Sequence, residues 1–416
     1  MTALSHKIAW NTLVQMGGKV ATTALGVIIT ILLTRYLGPA GFGAFTFILV
    51  FVTMFGSLAD WGMTLITVRE ASKNPTGGNA AEIIGNILII RLLLAVLAAA
   101  VAIVVINFFS ADFSIKILVA VASLSLIASS LKTSFQIIFN VKLRMENSAL
   151  SDFSANFLTL LVVLLVINFK LGLTGVVLAY LAGDFLAALV AAFLGFRLLP
   201  LKFSLVHPQT KYLLLESLPM GAILVTFTIY NRIDTVILSH FKGQESVGLY
   251  GAAYRIYEVL TLGAAYFANA LLPLISKLAQ MDKQKLAQVY RKSFVILLIL
   301  GILVATINFI FAPLGIALIA GDKFAGSVPA LQILSLALVV SYFNHLNGYT
   351  LIALGKQWYS FIIAIGALTL NIILNWIFIP TYSYYAAAFI TFITEGVIVL
   401  ATLLILHKTI KIFKYA

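Results

Sequence analysis

The sequence contains no cysteine. Disulfide frameworks, thiolate metal sites and cysteine nucleophiles are therefore excluded. Charge is almost as scarce. Asp, Glu, Lys and Arg make up 10% of the 416 residues, against about 25% in an ordinary soluble domain. The five histidines (His6, His207, His240, His345 and His407) fall at no metal-ligand spacing. No G-x-x-x-x-G-K-[ST] phosphate loop and no H-E-x-x-H pair occurs, and no long exterior loop carries paired carboxylates. These absences argue against a cytosolic enzyme, an ATP-driven pump and a membrane glycosyltransferase, and they imply no cofactor. Met1–Trp10 is polar and shows no signal-type cleavage pattern, so no cleaved leader is expected.

Apolar residues supply 62% of the chain. A spanning helix needs about 20 of them in a row. Twelve such spans are expected near 12–36, 41–68, 83–107, 115–139, 149–168, 172–196, 217–240, 247–276, 293–316, 328–352, 358–379 and 384–407. Polar, Gly-rich stretches such as LGPAGFG (37–43), REASKNPTGGNAAE (69–82), FKGQESVG (241–248) and AGDKFAGS (320–327) separate them. The fold class is thus all-α and polytopic. Two connectors, 197–216 and 277–292, mix Leu or Tyr with Lys or Arg, as surface-lying segments do.

Basic residues set the orientation. With the N-terminus inside, the inner segments hold Lys7, Arg69, Lys73, Lys142, Arg144, Arg197, Lys202, Lys211, Lys277, Lys283, Lys285, Arg291, Lys292, Lys356, Lys408, Lys411 and Lys414. The outer segments hold only Arg35, Lys116, Lys170, Lys242 and Lys323. Both termini are expected in the cytoplasm and the chain in the cytoplasmic (inner) membrane. The net charge of +13 then faces anionic lipid, not nucleic acid.

An internal repeat is visible. RYLGPAGFGAF (35–45) aligns without a gap on HFKGQESVGLY (240–250), with Gly38 on Gly243, Gly43 on Gly248, Phe42 on Val247 and Phe45 on Tyr250. The first stretch joins spans 1 and 2, the second spans 7 and 8. Two six-span lobes, 1–205 and 206–416, follow as parallel repeats. In such transporters the substrate site lies between the halves and access alternates.

Five cations and six acids fall inside spans: Lys19, Arg91, Lys132, Arg232 and Arg255, with Asp60, Asp152, Asp184, Asp234, Glu258 and Glu395. A charge at a lipid-facing helix centre costs roughly 2.5–3.5 kcal/mol, so these groups must face water or one another. Helical periodicity puts Thr12, Gln15, Lys19, Thr23, Gly26 and Thr30 on one stripe of span 1. It puts Thr53, Gly56, Asp60, Thr64 and Thr67 on one of span 2, and Thr228, Arg232, Thr235 and Ser239 on one of span 7. Tyr250, Tyr254, Tyr257 and Thr261 form a fourth on span 8, flanked by Arg255 and Glu258. Arg255 and Glu258 are spaced to pair. Asp234 points away from Arg232 and is expected to bond within its own half. Lys19 and Arg232 have no partner on their own helices and are the leading functional cations. Asp60, Asp234 and Glu258 are coupling or structural acids. The tyrosine stripe is either core packing or a wall suited to sugar rings. Asn344, His345, Asn347, Asn371 and Asn375 read as helix–helix hydrogen-bonding groups, with His345 also open to a proton-coupling role.

Five stretches carry a family resemblance: LLTRYLGPAGFGAFTF (32–47), LADWGMTLITVREAS (58–72), YNRIDTVILSHFKGQESVGLYGAAYRI (230–256), IAGDKFAGSVPALQILSLA (319–337) and ALGKQW (353–358). In order and spacing the chain resembles the polysaccharide biosynthesis or oligosaccharide flippase family of the multidrug/oligosaccharidyl-lipid/polysaccharide (MOP) exporter superfamily. The resemblance implies a V-shaped pair of lobes that carries a polyprenyl-pyrophosphate-linked glycan from the inner to the outer leaflet. It implies a cationic cavity, here Lys19, Arg232, Arg255, Arg91 and Lys132, with membrane lipids, a glycan polymerase and glycosyltransferases as partners and an unidentified coupling ion, H⁺ or Na⁺. A cation-coupled multidrug exporter of the MATE type, using Asp60 or Glu258, is the first rival. A peptidoglycan-precursor flippase is the second, disfavoured because the chain ends at Ala416 without two further helices. A non-transporting scaffold or lipid-carrier enzyme is the third.

Overall fold

The computed structural model describes residues 3–73, 78–109, 111–203 and 208–411. The expected connectors at 69–82 and 197–216 therefore lie partly outside the described residues. Every described element is helical: α1 (Ala3–Asp60), α2 (Met63–Ala71), α3 (Gly78–Ile106), α4 (Phe113–Ser123), α5 (Ser125–Lys142), α6 (Met145–Asn168), α7 (Gly172–Leu198), α8 (Pro208–Tyr230), α9 (Ile233–Met281), α10 (Lys283–Ile319), α11 (Ser327–Ala353) and α12 (Gln357–Ile410), with one 3₁₀ turn, Asp322–Phe324. The chain is an all-α, multi-pass membrane protein. Nine runs among the described residues are long and apolar enough to cross a bilayer. Three of them are too long for one crossing, and each holds a non-helical residue inside its long helix, Gly38, Gly243 or Ser383. Division at those points yields the twelve spans.

The breaks explain the repeat. Gly38 (φ 66, ψ −178) and Gly243 (φ 73, ψ −176) adopt nearly the same backbone conformation, in a region open essentially to glycine alone. Gly43 and Gly248 serve a different need. A Cβ on Gly43 would lie 1.7 Å from the Gln244 carbonyl oxygen, and one on Gly248 would lie 1.9 Å from that of Pro39. Pro39 and Gln244 are themselves equivalent positions, so the two turns interlock through the same contact with roles exchanged.

The chain divides into two compact units, one of 1–37 with 44–228, the other of 38–43 with 229–416. α8 thus packs with the first unit up to Thr228, and the 38–43 turn belongs to the second. In the first unit Ile84, Phe135, Ile138, Phe139 and Ala191 form a core. Small residues let helices close in: Gly183 faces Thr159 and Ala155, and Ser151 Oγ donates to the Ala187 carbonyl at 2.8 Å. α8 is seated by Leu213, buried with Met63, Ile83 and Ile87, and by a backbone crossing of Gly221 over Trp61 and Gly62. In the second unit α11 is the central helix, with Leu331, Leu334, Leu338, Leu346 and Leu351 fully buried. Outward faces stay apolar. On α10, Ile299, Leu303, Ile310, Leu314 and Leu318 are all more than half exposed, the surface that lipid covers.

Candidate functional site

Two helix breaks alter the predicted stripes. Span 7 is interrupted at Asn231–Arg232 between α8 and α9, so Thr228, Arg232, Thr235 and Ser239 do not share one helix face. Arg232 (φ −132, ψ −16) instead caps α9. Span 2 is interrupted at Trp61 and Gly62, both at positive φ, though Thr64 still reaches Asp60 across the break. Neither break contains proline.

Arg232 does have a carboxylate partner, supplied by the next span. Its Nη2 lies 2.8 Å from Glu258 Oε1, and Arg255 Nη1 lies 3.6 Å from Glu258 Oε2. One carboxylate thus bridges two guanidinium groups. All three side chains keep 30–45% of their surface exposed.

Behind this triad sits an acidic recess. Asp234 accepts from the Thr235 amide at 2.6 Å and from Tyr250 Oη at 2.5 Å. The expectation that Asp234 bonds within its own half holds. Asp234 lines the recess with Tyr230, Asn231, Tyr254, Asn371, Thr391 and Glu395. Its volume of about 10 Å³ is room for about one water-sized guest. Glu395 accepts from Asn344 Nδ2, and Tyr230 Oη donates to Thr394 at 3.0 Å. Two carboxylates with amide and hydroxyl oxygens make a hard, oxygen-only donor set, fit for a proton or a small cation. The tyrosines of span 8 pack in sequence with tilted rings, their centroids 5.4 Å apart at both steps. Tyr250 and Tyr257 are buried; Tyr254 lines the recess, and Tyr250 touches it through its bond to Asp234.

In the first unit Arg91 and Lys132 are also paired. Arg91 is sealed, with 1% of its side chain exposed, and its Nη2 lies 2.7 Å from both Asp60 Oδ1 and Thr133 Oγ1. Thr64 donates to the same Asp60 oxygen at 2.6 Å. Burial this complete places Arg91 out of a bulky ligand's reach. Lys132 lies 3.1 Å from Asp152 Oδ1, and Gln136 contacts the same oxygen. Lys19 is exposed and forms no ion pair among the described residues. The side chain of Thr12, on the same stripe, lies outside them. Of the helix-bonding asparagines, Asn347 joins Tyr290 (2.6 Å) to Thr402 (2.8 Å), and Asn344 reaches Glu395.

Sequence reasoning did not assemble the recess. Tyr230, Asn371 and the Thr391–Glu395 pair come from three separate spans, and the local signals are Thr391 four residues before Glu395 and the Asn371–Asn375 pair.

Residues 8–279, well over half the chain, match the family model described as polysaccharide biosynthesis protein. The chain belongs to the polysaccharide biosynthesis protein family. Residues 219–377 also match the MatE model, and the overlap of the two matches holds Arg232, Asp234, Tyr250, Tyr254, Arg255 and Glu258. Among relatives of this family member, the probable flippase AglR of Haloferax volcanii is 31% identical over 175 residues, 40% of this chain and 35% of that protein. An uncharacterized membrane protein of Methanocaldococcus jannaschii is 29% identical over 182 residues, 43% of this chain and 42% of that one. The matched stretches thus span less than half of either relative. Among solved structures, an inward-facing multidrug resistance MATE transporter of the MOP superfamily superposes with TM-score 0.79 at 17% identity, covering 97% of this chain and 99% of that one. The lipid II flippase MurJ gives 0.79 at 18% identity, covering 96% and 89%. A MOP superfamily transporter from Pyrococcus furiosus gives 0.70 at 17%, covering 97% and 95%. The polysaccharide biosynthesis protein family member therefore has the fold of these transporters.

Proposed function

We propose that this protein is a flippase that moves a polyprenyl-diphosphate-linked oligosaccharide from the inner to the outer leaflet of the cytoplasmic membrane by alternating access, with both termini in the cytoplasm. The observation that carries this reading is the half-exposed Arg232–Glu258–Arg255 triad within membrane-spanning helices. Fixed cations that can be reached at that depth are costly to keep, and a diphosphate crossing the bilayer needs such groups to replace its water. Lys19, exposed and without an ion pair among the described residues, adds a cation on α1. Membership of a polysaccharide biosynthesis family and the flippase named among the relatives support the substrate class. A glycan polymerase and glycosyltransferases are the partners such a reaction needs. The Asp234–Glu395 recess is the candidate site for a coupling H⁺ or Na⁺.

In a cell lacking its own flippase, this protein should restore surface glycan. Lys19→Ala with Arg232→Ala should abolish the rescue while the variant still inserts. Normal glycan display from that double variant refutes the reading. The MatE match over 219–377, together with the acid recess, favours a second reading, a cation-coupled drug exporter. Drug resistance on expression with no glycan phenotype selects it. The fold shared with MurJ supports a third, a peptidoglycan-precursor flippase, which rescue of a strain lacking that activity selects.

A further inference from the structure

We propose that Glu258 is an internal stand-in for the substrate's diphosphate, holding Arg232 and Arg255 together as a paired anion clamp until a more highly charged anion displaces it. The proposal rests on the flippase reading above and goes beyond it by assigning the acid of the triad a role in affinity.

Three observations carry it. First, the stoichiometry is uneven. One carboxylate faces two guanidinium groups, and each of its oxygens takes one of them, at 2.8 and 3.6 Å. The second distance is too long for a hydrogen bond. Each arginine carries five donors in a planar fork, so most of this donor capacity is left over after Glu258. Two guanidinium groups against one carboxylate leave the triad itself with one net positive charge. The next acid, Asp234, has both oxygens hydrogen-bonded by Thr235 and Tyr250 and acts on Arg232 only at longer range. Second, the triad is open. Its members are 31%, 30% and 45% exposed, whereas the Arg91–Asp60 pair buries its arginine to 1%. An anion can reach the first set and not the second. Third, the binding strengths differ in the right direction. A half-exposed ion pair is weak. A phosphate group presents paired oxygens to a guanidinium fork as a carboxylate does, but with more charge and more acceptors. Glu258 meanwhile neutralises cations that would otherwise stand uncompensated within the span.

The test is calorimetric titration of the full-length protein in detergent micelles at low salt, with inorganic pyrophosphate as probe. Glu258→Gln keeps the shape and removes the competing charge. It should tighten binding about five- to tenfold, the factor that corresponds to about 1 to 1.4 kcal/mol. Adding Arg232→Gln or Arg255→Gln to it should erase the gain. A second measurement needs no variant. Saturating pyrophosphate should protect Arg232 and Arg255 of the wild type from phenylglyoxal and leave Arg69 reactive. If the wild type binds and Glu258→Gln binds equally or more weakly, the stand-in role is overturned while the diphosphate reading survives. If neither protein binds and no arginine is protected, the diphosphate reading falls and the stand-in role with it.

Discussion

The interlocked turns at 38–43 and 243–248 offer the sharpest test of why the repeat exists. Replacing Gly248 with Ala places a methyl group 1.9 Å from the Pro39 carbonyl oxygen and 3.0 Å from the Gly43 amide nitrogen. Both neighbours are backbone, so neither can swing aside, and the turns must separate by more than 1 Å to restore ordinary contact. Overpacking of this kind costs about 1–3 kcal/mol or more, and the absence of a flexible neighbour puts Gly248→Ala at about 3 kcal/mol. For a unit of roughly 200 residues each kcal/mol moves the melting temperature by about 2–4 °C, so a drop of about 6–12 °C is expected in detergent. Unfolding there is often irreversible, so scan rate must be held fixed. Gly43→Ala should behave alike. Because both changes pry open one interface, the double variant should cost less than the two single costs added together. Gly243→Ala should also destabilise, for a different reason. No atom lies within 4 Å of its would-be Cβ, and only the backbone conformation resists. Gly366→Ala is the control, helical and with open space around it, and should be neutral or gain up to about 1 kcal/mol. Equal shifts for Gly248→Ala and Gly366→Ala would refute the interlock.

Asp60→Asn should destabilise the first unit by about 3–5 kcal/mol by leaving the sealed Arg91 unneutralised, and Asp60→Asn with Arg91→Met should recover most of that loss in the same melting assay. Asp282 caps α10, its Oδ1 accepting from the Gln284 and Lys285 amides at 3.0 Å each; Asp282→Ala should cost about 1 kcal/mol, while Asp282→Asn, which keeps the acceptor, should cost much less.

What the sequence discloses follows from the range of the forces that write it. Span number is legible because each crossing must satisfy its own backbone and so needs its own apolar run. The turn glycines are legible because Gly38 and Gly243 answer to local φ, and Gly43 and Gly248 sit at a fixed offset from them. The Arg255–Glu258 pair is legible at one-turn spacing. The breaks at 61–62 and 231–232 are not. The first is held from outside, by the crossing of Gly221 over Trp61 and Gly62; at the second, Arg232 pairs with Glu258, which lies beyond the Gly243 break. Helical periodicity assumes a continuous helix and so contains no sign of either break, although Thr64 does meet Asp60 as that periodicity implies.

The same reasoning explains why the partners of these cations are hidden in the sequence. A stripe diagram can find a partner only on its own helix, yet the partners of Arg91, Lys132 and Arg232 come from elsewhere: Asp60 on α1, Asp152 on α6, and Glu258 on α9, beyond the Gly243 break. Near-equal numbers of acids and bases in the spans already hinted at such pairing. Charge count therefore says little about which cations can meet a ligand in a membrane protein. Exposure is the better guide, and it separates Arg91, sealed against Asp60, from Arg232 and Arg255, which stay part-exposed beside the acid they share.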